Sequence, residues 1–235
     1  MSAKNLKILQ LGNFFGFILT LTLNGLANAL PINNRATGEI SDSIPNLFVP
    51  AGLTFAIWGV IYLLLAIFSF YQLKSPTKDP AIADFLTRIG VWNIVGSVSN
   101  SLWILAWHYG EVGWSLVLML VLLGSLLAIY RRLETGLPAA KTRTPLQKLA
   151  FEVPFSVYLG WITVATIANV TALAVVEEWN RWGISEATWT VLVLIVAVGI
   201  TSLMLWRRKD IAYSLVVIWA FAGIIIKRTD PIWLP

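Results

Sequence analysis

The sequence predicts an all-α membrane protein, a polytopic bundle of about seven transmembrane helices with almost no water-soluble domain. Three observations lead there. The 235 residues are 57% hydrophobic and 12% charged, about half the roughly 25% charged fraction of a soluble domain. The apolar residues come in long unbroken runs rather than at one-face spacing, so lipid as well as protein must solvate them. The basic residues that give the net charge of +5 sit in short clusters between those runs, which is the pattern of topology determinants rather than of a nucleic-acid-binding surface.

The spans are expected at residues 8–30, 51–73, 89–109, 112–130, 151–176, 187–206 and 211–226. The first is too long for a signal peptide and lacks a small-residue cleavage pattern, so it is read as a retained helix. The last is short for the roughly 20 residues a bilayer needs. With the N-terminus inside, the inner segments hold Lys4, Lys7, Lys74, Lys78, Arg88, Arg131, Arg132, Lys141, Arg143, Lys148, Arg207, Arg208 and Lys209. The outer segments hold only Arg35, Arg181, Lys227 and Arg228. That asymmetry orients the N-terminus to the cytoplasm and the C-terminus outside. The expected location is a bacterial cytoplasmic membrane. The longest outer segment, 31–50, carries Pro31, Asn33, Asn34, Gly38, Pro45 and Pro50 and reads as a structured loop.

Polar side chains inside a bilayer need partners, so each one is informative. Asn13, Thr20, Asn24 and Asn28 are spaced seven, four and four apart, which puts them on one face of the first helix, pointing into the bundle. Interhelical hydrogen bonding is the first reading of such a face, and a ligand pocket the second. Gly12 and Gly16 form a small-xxx-small pair suited to close helix packing. Trp92, Trp206, Trp114, Trp179, Trp182 and Trp189 fall near the expected membrane surfaces, as belt residues do. Trp58, Trp103 and Trp161 lie deeper. At 1.5 Å per residue, Trp58, Trp103, Asn100, Asn169 and Ala165 sit roughly 9–16 Å below the outer surface. Asn24 and Asn28 occupy the same half. Aromatic walls with a few polar groups suit a flat apolar ligand, and ordinary packing would use the same residues.

Enzyme constellations do not emerge. Glu152, at the inner start of the fifth span, is read as stabilising a helix N-terminus, and His108 as an interfacial residue. The absence of cysteine excludes disulfides and thiolate-held iron–sulfur clusters. A single histidine leaves no basis for a protein-built transition-metal site. A retinal photoreceptor would need a lysine within the last helix, and Lys227 lies past its expected end.

Three segments carry a family resemblance. "VPAGLTFAIWGVIYLLL" contains Pro50, Trp58 and Tyr62; "SNSLWILAW" contains Asn100, Trp103 and Trp107; "YLGWITVATIAN" contains Tyr158, Trp161, Ala165 and Asn169. In order and spacing these resemble the tryptophan-rich sensory proteins, the family of the mitochondrial translocator protein (peripheral benzodiazepine receptor), over about residues 8–177. The chain departs from the family pattern in four ways. It adds two helices after residue 177, its long loop is not tryptophan-rich, Val49 replaces one of two paired prolines, and no basic residue follows the fifth span as the family's sterol-recognition pattern requires. The resemblance implies a five-helix core, residues 1–177, that binds porphyrin- or haem-like tetrapyrroles for sensing, transport or photo-oxidative breakdown. The ligand-binding residues are then Trp58, Tyr62, Asn100, Trp103, Trp107, Trp161, Ala165 and Asn169, with Asn24 or Asn28 as a further wall. No covalently bound cofactor is expected. The expected partners are the lipid bilayer, a hydrophobic small molecule and a second copy in a homodimer, with no nucleic acid. A small permease for a lipid or other amphiphile is the alternative. Residues 178–235, with the last two helices, are expected to pack outside the core and add little to the pocket, their Trp189, Trp206 and Trp219 facing lipid or a partner.

Overall fold

A computed structural model describes residues 1–30 and 32–229. Pro31 of the long loop and residues 230–235 of the C-terminal segment lie outside the described residues. The chain is helical throughout the described residues: α1 (Ala3–Ala29), α2 (Thr37–Asp42), α3 (Ile57–Tyr71), α4 (Pro80–Ile89), α5 (Trp92–His108), α6 (Val112–Leu133), α7 (Pro145–Phe151), α8 (Val153–Val176), α9 (Glu186–Arg208) and α10 (Ile211–Thr229). Six helical stretches are long and apolar enough to cross a membrane, and a seventh if α4 and α5, bent by 53°, form one span. The chain is therefore an integral membrane protein.

Local chemistry explains where these helices begin. Ser2, Thr144 and Ser185 each accept a backbone N–H three residues on, satisfying a donor that the first turn leaves open. Asp79 caps α4 and Pro80 follows it at the first helical position, where a missing N–H costs nothing. α4 itself was not anticipated. Its Ile82, Phe85, Leu86 and Ile89 are buried, the three-and-four spacing of an amphipathic helix that lies against the bundle. The segment between the fourth and fifth spans also holds more structure than a loop, with a 3₁₀ turn at Pro138–Thr142 and then α7.

The core forms where α5, α6 and α8 pack together, with α1 on one flank and α10 on the other. Gly12 and Gly16 of α1 face Ile94 and Ser97 of α5; a Cβ at Gly12 would come within 2.5 Å of Ile94. The polar face of α1 is mostly used for helix pairing. Asn13 donates to Gln72 at 3.1 Å and accepts from Asn93 at 3.2 Å. Thr20 donates to the Ser97 carbonyl, and Asn24 donates to Asn100 at 2.7 Å.

The two ends of the bundle differ. At one, the loop end, Asn33 reaches the His108 carbonyl, Glu186 reaches the Leu47 amide and Lys227 pairs with Asp42. The opposite end holds the ion pairs Arg88–Glu134 (2.8 Å) and Arg143–Glu152 (3.1 Å). Glu152 stands at the N-terminus of α8, where it was expected, and is in addition a buried partner of Arg143; its side chain caps no amide.

The last helix corrects two expectations. α10 runs to Thr229, three residues past the expected end, because Lys227 and Arg228 find partners on the loop. Trp219 does not simply face lipid: its indole donates to the Thr54 carbonyl at 2.9 Å.

Candidate functional site

Three long helices and the 37–55 segment enclose a cavity at the loop end. Trp58 comes from α3, Trp103 and Trp107 from α5, and Trp161, Ala165 and Asn169 from α8. The roof is the segment after α1, which contributes Thr37, Ser41, Asn46, Val49, Pro50 and Phe55. Phe55 lies in a 3₁₀ turn, Gly52–Ala56, that feeds directly into α3. Pro50 and the turn shape the chain there, so the roof is built rather than draped.

The rings form a continuous set. Trp58 stacks on Trp103, with ring centres 6.3 Å apart and planes at 30°, and meets Trp161 edge-on at 6.2 Å and 80°. Trp103 stacks on Trp107 at 6.0 Å, and Phe55 meets Trp161 edge-on at 5.9 Å. Offset-stacked and edge-on pairs of this kind each add about 0.5–1.5 kcal/mol beyond their buried area, which stiffens the wall.

Two hydrogen bonds orient the rings. The Trp103 indole donates to Asn169 Oδ1 at 3.2 Å, while Asn169 Nδ2 donates to Ser115 Oγ at 2.9 Å. Trp107 donates to the Thr37 carbonyl of the roof at 3.3 Å. Asn169 is thus a positioning residue, its amide occupied by Trp103 and Ser115. The Trp161 indole nitrogen and the Thr37 hydroxyl are different, being buried without any hydrogen-bond partner. Buried atoms elsewhere in the bundle, such as Ser69 Oγ and Ser101 Oγ, are in the same state, so these two are donors available at the cavity and do not by themselves mark it as a site.

The ten residues singled out from the sequence divide. Trp58, Trp103, Trp107, Trp161, Ala165 and Asn169 line the cavity. Tyr62 stands one turn below, stacked on Trp58 at 5.6 Å. Asn100 and Asn24 bond to one another between α1 and α5, and Asn28 is exposed, donating back to the Asn24 carbonyl. Sequence reasoning missed the roof residues Thr37, Ser41 and Phe55, which no residue pattern marks as facing inward. His108 is the last residue of α5, at the end of the span as expected, and is buried there with Nδ1 2.7 Å from the Ile104 carbonyl. Among the described residues no group of three His, Asp or Glu side chains could hold a metal ion.

The cavity measures about 50 Å³, well below the roughly 300–1,000 Å³ of typical small-molecule pockets. Three of its walls are long packed helices, and the fourth is the roof.

A family model described as TSPO-like protein matches residues 8–234. Neither the curated proteins nor the solved structures contain a match.

Proposed function

The chain belongs to the TSPO-like protein family, and from that premise we propose that the cavity receives a flat hydrophobic ligand, a porphyrin or related tetrapyrrole. The family and the helical membrane bundle make it a membrane binding or transport protein. The observation that supports the finer reading is the ring-walled cavity with an unpartnered Trp161 N–H beside it. Stacking area from Trp58, Trp103 and Trp161 suits a planar π-system, and the indole donor suits an acceptor at its edge. A macrocycle needs far more than about 50 Å³, so binding entails lifting the 37–55 roof and reclosing it. Sensing or transport then follows from that movement.

The test is a tryptophan-fluorescence titration of the purified chain with protoporphyrin IX. Saturable quenching in the parent, weakened in Trp161→Phe and in Ala165→Phe, is the expected result. Parent-like binding by both folded variants would reduce the ring cluster to packing.

The alternative substrate, a lipid or other amphiphile, is favoured by one feature. A groove of about 500 Å³ runs between the roof, α8 and α9, with apolar Phe48, Val170 and Val193 beside Arg181 and Glu186. A fluorescent phospholipid that competes with protoporphyrin IX would move the assignment to that class. We place the N-terminus in the cytoplasm and the roof outside a bacterial cytoplasmic membrane, on the basic-residue asymmetry. Reporter fusions after residues 45, 80, 143 and 183 should read outside, inside, inside and outside; a cytoplasmic signal from position 45 reverses the orientation.

A further inference from the structure

The two C-terminal helices contribute no residue to the cavity lining, yet they hold its roof. α10 supplies most of the attachment. The Gly223 carbonyl accepts the Ala51 N–H at 3.0 Å, and Trp219 donates to the Thr54 carbonyl at 2.9 Å. Arg228 donates to the Asn46 carbonyl at 2.7 Å and to that of Leu47 at 3.3 Å. Lys227, itself buried, forms an ion pair with Asp42. α9 adds Glu186, which accepts the Leu47 N–H at 2.9 Å.

These anchors alternate along the chain with the lining residues. Asp42 follows Ser41, Ala51 follows Pro50, Thr54 precedes Phe55, and Asn46 is in both sets. The roof therefore cannot lift from Trp58, Trp103 and Trp161 while α10 keeps hold of it. Fewer side-chain bonds join the roof to the five-helix core: Asn33 to the His108 carbonyl, Trp107 to the Thr37 carbonyl, and Thr171 to Asn46 at 3.4 Å.

We infer that α9 and α10 act as a clasp on the roof, and that release of Asp42, Asn46, Leu47, Ala51 and Thr54 from α10 and α9 is the step that opens the cavity to its ligand. The inference rests on the cavity being the binding site, and it adds what regulates access. Close approach is part of the device. A Cβ at Gly223 would stand 1.9 Å from Thr54 Oγ1, so only glycine lets the turn before α3 seat on α10. Lys227 is buried while Asp42 is exposed, so their pairing draws the end of α2 onto α10. Removing either side chain breaks that attachment.

The chain has no cysteine, which allows a direct test. Ala165→Cys places one thiol on the cavity wall, and its rate of reaction with N-ethylmaleimide in the purified full chain reports opening. Lys227→Gln and, as a steric wedge, Gly223→Ala should each speed labelling about tenfold, the scale of a lost partly buried ion pair or of an overpacked contact. The charge swap Asp42→Lys with Lys227→Asp should return the rate towards the parent's. Arg228→Gln, at a half-buried position, serves if Lys227→Gln does not fold, and should also speed labelling. Parent-like rates in the folded variants overturn the clasp. The rate of protoporphyrin IX quenching separates the two ideas. Faster labelling with no porphyrin binding in any variant removes the ligand assignment and leaves the clasp. Porphyrin binding with labelling unchanged across the set does the reverse.

Discussion

α9 and α10 follow one another, are similarly apolar, and each is long enough to cross a membrane. Yet α10 buries Tyr213, Ser214, Val216, Val217, Ala220, Gly223, Ile224 and Lys227, while α9 buries Ala197 alone. The difference teaches that hydropathy selects the bilayer, whereas small residues and polar anchors select a protein neighbour. Lipid tails are as apolar as leucine side chains, so apolarity gives a membrane helix no reason to prefer another helix. α10 has such reasons. Gly160 of α8 lets it approach until a Cβ there would sit 2.9 Å from the Tyr213 carbonyl. Asp210, just before α10, accepts from Tyr130 at 2.8 Å, from Ser156 at 2.7 Å and from the Tyr213 N–H at 3.0 Å. One carboxylate thereby caps α10 and ties it to α6 and α8. Gly199 of α9, by contrast, has nothing near the position a Cβ would take.

The contrast can be broken most sharply at Asp210. Asp210→Ala removes the cap and leaves two buried hydroxyls unpaired, and should cost about 3 kcal/mol or more, read as a fall in unfolding temperature in detergent. Asp210→Asn keeps one acceptor oxygen, enough for the cap on the Tyr213 N–H, and should cost less. A small loss in Asp210→Ala would mean that α10 is held by the roof rather than by its start.

Gly160→Leu should follow, at about 1–3 kcal/mol for an overpacked contact, whereas Gly199→Leu should leave the unfolding temperature within error. Equal effects at the two glycines would erase the distinction between the helices. On the ligand side, Trp161→Phe and Ala165→Phe on α8 should weaken protoporphyrin IX binding by about 1–3 kcal/mol. Trp189→Phe on α9 removes one indole bond to the Arg181 carbonyl and should leave binding unchanged. The smallest effect belongs to the exposed face of α9. Val196→Ala, exposed along that helix, should change stability by less than about 0.5 kcal/mol; a larger loss, measured by thermal unfolding, would reveal a protein partner for that face.

Other features show the same division between what a linear pattern carries and what it does not. The motif spacing around Trp58, Trp103, Trp161, Ala165 and Asn169 marked residues that the fold does gather at one cavity, because period and depth are local properties of a helix. Asn24 and Asn28 share a face by the same arithmetic, but Asn24 spends its amide on Asn100 and Asn28 turns outward. Spacing says which face a residue is on without saying which neighbour claims it. Asp210 stands beside Arg207, Arg208 and Lys209, and nothing in the sequence pattern singled it out. Its burial depends on Tyr130 and Ser156, eighty and fifty-four residues away.

By itself, then, the sequence determined the solvent and the long apolar helices, together with the aromatic character of the loop-end wall. Those follow from run length and helical period, each of which acts over a few turns. Only the tertiary structure decided that the 37–55 segment is a roof, that the cavity beneath it is small, and that α10 supplies most of the roof's attachment while α9 adds one bond. Each of those depends on a single contact geometry between distant segments. Gly223 under Thr54, Lys227 on Asp42 and Trp219 on the Thr54 carbonyl are pairings that residue type permits in many places and that packing realises in one.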